Sequence, residues 1–124
     1  MHTVDIPRND WSRVLDDFSA KHEGWVVSLD LLTPAFGARP EIQNLPLLGV
    51  TAEPAIRGTD ITIAVARSAE NHITHTIQSP THVRLERMDD GADVGLEIES
   101  AEGAAILRFR TVALPETVDG VVRR

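Results

Sequence analysis

The fold is decided by residues 82–109, His82-Val83-Arg84-Leu85-Glu86-Arg87-Met88-Asp89-Asp90-Gly91-Ala92-Asp93-Val94-Gly95-Leu96-Glu97-Ile98-Glu99-Ser100-Ala101-Glu102-Gly103-Ala104-Ala105-Ile106-Leu107-Arg108-Phe109. Apolar residues alternate three times in this stretch: Val83 and Leu85, then Val94, Leu96 and Ile98, then Ala105, Leu107 and Phe109. Successive side chains on a strand point to opposite faces, so each set lines one side of a half-buried strand. The Asp89-Asp90-Gly91-Ala92-Asp93 run supplies turn chemistry between the first two strands. Residues directly opposed across an antiparallel ladder share a face, which restricts the register. The first hairpin then pairs Leu85 with Leu96, Val83 with Ile98 and Arg84 with Glu97, and places His82 opposite Glu99. A two-residue Glu102-Gly103 loop pairs Ile98 with Leu107, Leu96 with Phe109 and Glu97 with Arg108. The outer face is expected to read Arg84, Glu97, Arg108 across a three-stranded meander covering about 82–112, a charge ladder that specifies register.

Upstream, Trp11, Val14, Leu15 and Phe18 recur at i, i+3, i+4 and i+7, and Arg13, Asp16, Asp17 and Lys21 fall on the other side. This is a helix at about 10–22, with Asn9 or Asp10 as cap and Gly24 as its left-handed exit. After Gly24 the period becomes two. Trp25, Val27, Leu29 and Leu31 alternate with Val26, Ser28, Asp30 and Leu32, a strand at 25–32. Residues 33–40 hold two prolines and a glycine and read as a loop. Strands follow at 47–52 and at Ile61, Ile63 and Val65, separated by a turn from Pro54 to Thr59. A further strand in Asn71–Gln78 has Ile73, His75 and Ile77 on one face. The expected architecture is α+β: one N-terminal helix packed on a curved, mainly antiparallel sheet of about six strands, which closes as a partly open barrel if non-local contacts allow. The whole chain, 1–124, reads as a single domain.

Composition narrows the function classes. The chain has 124 residues, with Asp+Glu 19 against Lys+Arg 12 and a formal net charge of -7. An acidic chain is poorly suited to gripping phosphate backbones, so no nucleic-acid partner is expected. Zero cysteines remove disulfides, thiolate metal sites and cysteine nucleophiles. No apolar run approaches the ~20 residues of a membrane helix, and the start has no basic region followed by an apolar one. A cytoplasmic protein without membrane association is the expectation.

Few residues invite chemistry. There is no Gly-x-Ser-x-Gly, no His-Glu-x-x-His, no Gly-x-Gly-x-x-Gly and no Walker lysine, and no cofactor is expected. His72 and His75 lie an odd step apart and point to opposite faces of a strand, which keeps them from sharing one metal. His75, between two isoleucines, is the candidate for a catalytic or pocket-lining role, set against a plain core histidine. His82 faces Glu99, an ordinary surface pair. Asp89, Asp90 and Asp93 are the weak metal candidates, although the run lacks the alternating spacing and final Glu of a calcium loop.

Several strings in combination, Ile6-Pro7-Arg8 followed by Trp11, Gly24-Trp25, Thr74-His75-Thr76-Ile77, Val83-Arg84-Leu85-Glu86 and Leu114-Pro115-Glu116 with Val118-Asp119-Gly120, resemble a small family of bacterial proteins of unknown function. The resemblance spans nearly the whole chain and implies a bacterial, single-domain protein. It brings no activity, substrate or catalytic residue, and it directs attention to Arg8, Trp11, Trp25 and His75. The favoured reading is a non-enzymatic binding or interaction module using apolar sheet surface, with a second copy or another protein as partner. The competing reading is a small enzyme or ligand-binding barrel in which His75 lines an interior pocket with Trp25 and Arg8. A third has the acidic turn at Asp89–Asp93 docking on a basic partner. No small-molecule ligand is identified by the sequence.

Overall fold

The computed structural model describes residues 2–110. Strand β1 (His2–Asp5) leads through Ile6 and Pro7 into a 3-10 turn (Arg8–Asp10) and helix α1 (Trp11–His22). Strands β2 (Val26–Thr33), β3 (Gly37–Ala55), β4 (Gly58–Ala66), β5 (His72–Ile77), β6 (His82–Arg87), β7 (Asp93–Ser100) and β8 (Gly103–Phe109) follow. The eight strands, against about six expected, form one antiparallel sheet in the order β1-β6-β7-β8-β2-β3-β4-β5. Its ladder does not close into a barrel, since β1 and β5 are its two edges. The expected tail at 113–124, with its Leu-Pro-Glu string, and the last residues of the meander lie outside the described residues.

Helix α1 buries Trp11, Leu15, Phe18 and His22, the stripe read from the sequence extended by one turn. Its start differs from expectation. Asp10 makes no side-chain capping bond; the 3-10 turn leads in instead, with the Asp10 N–H donating to the Pro7 carbonyl at 2.9 Å. Gly24 has φ +87 and provides the left-handed exit. Trp25, expected on the inward face of the first long strand, precedes β2 and stays 44% exposed.

The largest departure is β3. Residues 33–40 are not a loop: the chain reverses over Pro34–Phe36, and β3 then runs 19 residues through Pro40 and Pro46. Proline lacks a ladder donor and belongs on edges. β3 accommodates both because its first part pairs only with β2, including Asp30 with Pro40 and Val26 with Pro46, and its second part pairs only with β4, from Leu47 to Ala55. Register irregularities between Val27 and Asp30, and between Leu47 and Gly49, mark the handover.

Beyond Pro46 the β3 edge abandoned by β2 is taken up by α1. Ser19 Oγ accepts from the Val50 N–H at 2.7 Å and lies 2.8 Å from the Leu15 carbonyl and 2.9 Å from the Val50 carbonyl, either of which can receive its single proton. The Gly24 N–H donates to the Leu47 carbonyl, and the Leu47 N–H to the Trp25 carbonyl, both at 2.8 Å. A strand edge that would otherwise be buried unpaired is therefore satisfied by the helix and by the chain that leaves it.

The first hairpin of the meander has the expected register, with Leu85 opposite Leu96, Val83 opposite Ile98, Arg84 opposite Glu97 and His82 opposite Glu99. The second is shifted by two residues. Leu96 faces Leu107, Ile98 faces Ala105 and Ser100 faces Gly103, so the loop is Ala101-Glu102 and not Glu102-Gly103. A two-residue shift returns every side chain to its own face, and the core set is unchanged. The cause is Gly103. At φ +141, a Cβ there would fall on the Leu32 carbonyl oxygen, so the glycine serves the close passage of β8 along β2. Arg108 consequently stands opposite Gly95, not Glu97, which corrects the expected charge row.

One buried cluster joins the helix stripe to Val27, Leu29, Leu47, Val50, Ile61, Ile63, Val65, Val83, Leu85, Leu96, Ile98 and Leu107. Ser19→Ala strands the Val50 N–H, and a loss of about 1–3 kcal/mol in urea unfolding free energy is expected. Gly95→Ala, whose Cβ would meet the Leu107 carbonyl oxygen across the ladder, is expected to lower the thermal midpoint without changing the far-ultraviolet spectrum.

Candidate functional site

β5 is an edge strand, so its inward side chains have one neighbouring strand and not two. Ile63 on β4 stands opposite His75. Beyond β5 the inward face meets the ends of β2, β7 and β8, and a cavity of about 180 Å³ remains between them. Its walls are Leu31, Leu32, Ile77, Ile98, Ala104 and Ala105, with Thr33, His75, Thr76, Gln78, Ser100, Glu102 and Gly103 completing the lining. The cavity is open to solvent on one side, where Leu32 is 41% exposed. His75 Nδ1 lies 3.8 Å from Glu41 Oε2, a charge contact too long for a hydrogen bond.

The residues expected around His75 are elsewhere. Arg8 lies over the Trp11 ring, 4.3 Å from its centroid, and donates to the Pro80 carbonyl at 3.3 Å. Trp11 is buried and donates its indole N–H to the Ile6 carbonyl at 3.0 Å. Trp25 packs edge-on against His22 and Phe109, with centroids at 4.7 and 5.1 Å. None of the three lines the cavity.

A second constellation escaped the sequence reading. His22 is buried in the last turn of α1 among Phe18, Trp25 and Phe109, all within 4.7 Å between ring centroids. Its Nδ1 is 2.7 Å from the Phe18 carbonyl, which can only accept, so Nδ1 carries the hydrogen. Nε2 is 3.6 Å from Asp93 Oδ2, and Asp93 Oδ1 accepts from Arg87 Nε at 2.9 Å. The signal for His22 was its place on the buried helical stripe, one turn after Phe18. Nothing local indicated Asp93, which sits at the start of β7.

Asp93 is thus turned inward, away from the other acids of its turn. Asp90 Oδ1 accepts the Ala92 N–H at 3.0 Å, and His2 Nδ1 approaches Asp89 at 3.8 Å. Among the described residues no three His, Asp or Glu side chains converge as a metal site. On the outer face Arg84 donates to Glu99 at 2.9 Å and lies 3.8 Å from Glu97 and 3.4 Å from Asp5. The Glu99 hydrogen bond, followed by the fields of Glu97, Glu99 and Asp5 acting against desolvation, raises the Arg84 pKa above the ordinary arginine range. Its stabilising charge is fully present below that range and lost only above it, so it is constant across working pH. His82 is exposed opposite Glu99, whose carboxylate is already taken by Arg84. Arg108 Nε is 3.7 Å from Glu86 Oε1, an oxygen otherwise without a hydrogen-bond partner.

A family model described as a family of unknown function (DUF5335) matches residues 2–117. An uncharacterized protein of Aquifex aeolicus (strain VF5) is 28% identical over 118 residues, which is 94% of this chain and 100% of its own length. No solved structure matches the chain.

Arg84→Met leaves Asp5, Glu97 and Glu99 facing one another without their cation. A loss of about 1 kcal/mol is expected at low ionic strength, shrinking at 1 M salt as urea midpoints are compared. Asp93→Ala removes the acceptor of Arg87 and the partner of His22; about 1–3 kcal/mol is expected in the same measurement.

Proposed function

Because the chain belongs to the DUF5335 family of unknown function, we propose from its own geometry that it is a non-enzymatic binding module taking a small, largely apolar ligand into the cavity beside His75. The observation that carries this reading is the cavity itself: about 180 Å³, walled by aliphatic side chains, with His75, Gln78, Ser100 and Glu102 as the polar groups around it. Pockets that recognise small molecules combine an apolar lining with a few placed polar groups in this way. An enzyme reading has less support. His75 and Ser100 both line the cavity, but among the described residues no hydrogen bond joins them, and an activated nucleophile needs its base within about 2.6–3.2 Å.

Contact with a second copy of the chain is a second reading, favoured by the β2–β3 hairpin. Phe36 at its tip is 77% exposed, and Leu32, which lines the cavity, is 41% exposed. Apolar surface of this kind is commonly covered by a partner. Sedimentation of the wild type and of Phe36→Ser tests it: association lost in the variant supports the reading, and a monomer in both overturns it.

For the ligand-binding reading, benzene is titrated into the full chain and followed by amide resonances. Shifts concentrated at 31–33, 75–78 and 98–105 are expected, and Ala104→Leu, which fills the cavity from its wall, abolishes them while the fold is retained. Saturation with no shift in those segments overturns the reading.

A further inference from the structure

We propose that the ligand of this cavity carries a hydrogen-bond-donating head, a primary amine above all, on an apolar body about the size of one benzene ring. The inference rests on the binding reading above and adds the chemistry of the head group.

The argument begins with the charges around the opening. Among the described residues lining the cavity, only His75 and Glu102 are titratable, and neither Lys nor Arg is among them. The nearest further group on His75 is another carboxylate, Glu41, at 3.8 Å from Nδ1. Arg39 stands opposite Leu31 in the β2–β3 ladder but is exposed and does not line the cavity. A carboxylate ligand would therefore meet one side chain of its own sign in the lining, Glu102, with Glu41 behind His75, on a chain whose formal net charge is -7. An ammonium head meets complementary charge at Glu102, with the field of Glu41 acting through His75, and this like-against-unlike contrast is the usual source of head-group selectivity.

The uncharged donors and acceptors agree with this assignment. In either neutral tautomer an imidazole such as that of His75 has one acceptor nitrogen. Gln78 and Ser100 each offer an acceptor oxygen as well. Both also carry donors, so these groups accept from an amine head without selecting for it. Its volume of about 180 Å³ sets the size of the apolar body. It exceeds by little the roughly 150 Å³ that accommodates benzene.

The test uses three probes of matched shape, benzylamine, benzyl alcohol and benzoate, titrated into the full chain at pH 7 and low ionic strength with the cavity amides as readout. Benzylamine is expected to bind at least tenfold more tightly than benzoate, with benzyl alcohol between them. In the double variant Glu41→Gln, Glu102→Gln, the amine preference should collapse while benzyl alcohol keeps its affinity, which shows that the cavity is intact. Benzoate binding as tightly as benzylamine, or an amine preference unchanged in the double variant, overturns the head-group inference and leaves the binding reading standing. If none of the three probes shifts the cavity amides, both fall together.

Discussion

The structure depends on the change of partner within β3. A strand of 19 residues offers two backbone edges along its full length, and both must be satisfied wherever they are buried. β2 accompanies β3 only as far as Pro46, and β4 accompanies it only from Leu47 onward. The gap on the first edge is closed by α1, through Ser19 at Val50, and by the chain leaving it, through the Gly24 and Trp25 backbone at Leu47. A helix standing in for a strand makes the N-terminal segment part of the sheet's hydrogen bonding as well as its cover.

The candidate site follows from the same arrangement. Since β4 and β5 hang from the second part of β3, they are carried away from β2, and the inward face of β5 meets strand ends rather than a paired strand. Ile77 comes into one wall with Ile98 and Ala105, ladder partners on the β7–β8 hairpin, while His75 and Glu102 come in with them. At the other end of the molecule, His22 closes the aromatic group of Phe18, Trp25 and Phe109 and is tied through Asp93 to Arg87. That group is built from the end of the helix and from the first and last residues of the meander strands, and its polar contacts are internal.

Much of the fold was legible because it is written in short-range periodicity. The helical stripe at Trp11, Leu15 and Phe18, the inward rows of β6, β7 and β8, and the position of His75 on the inner face of β5 are all as the spacing required. The errors are of a different kind. Pro34 and Pro40 make residues 33–40 read as a loop, because proline chemistry is local and the absence of a second ladder partner is not. Gly103 was assigned to a turn when its freedom was needed for the close approach of β8 to Leu32, two strands that meet only in three dimensions. The resemblance directs attention to Trp25 and Arg8 together with His75, and each is held by neighbours that no spacing rule connects to it.

By itself the sequence determined which face of each element is apolar, the register of the first meander hairpin and the excess of acidic charge. These properties are set by neighbours a few residues apart, where the pleat and the helical turn fix the geometry. Only the tertiary structure decided that β3 serves two ladders in succession, that the sheet leaves its edges at β1 and β5 unjoined, and that a cavity opens beside His75 while Asp93 turns in toward His22. Those outcomes depend on which distant backbone edge satisfies which other, and periodicity carries no information about partners.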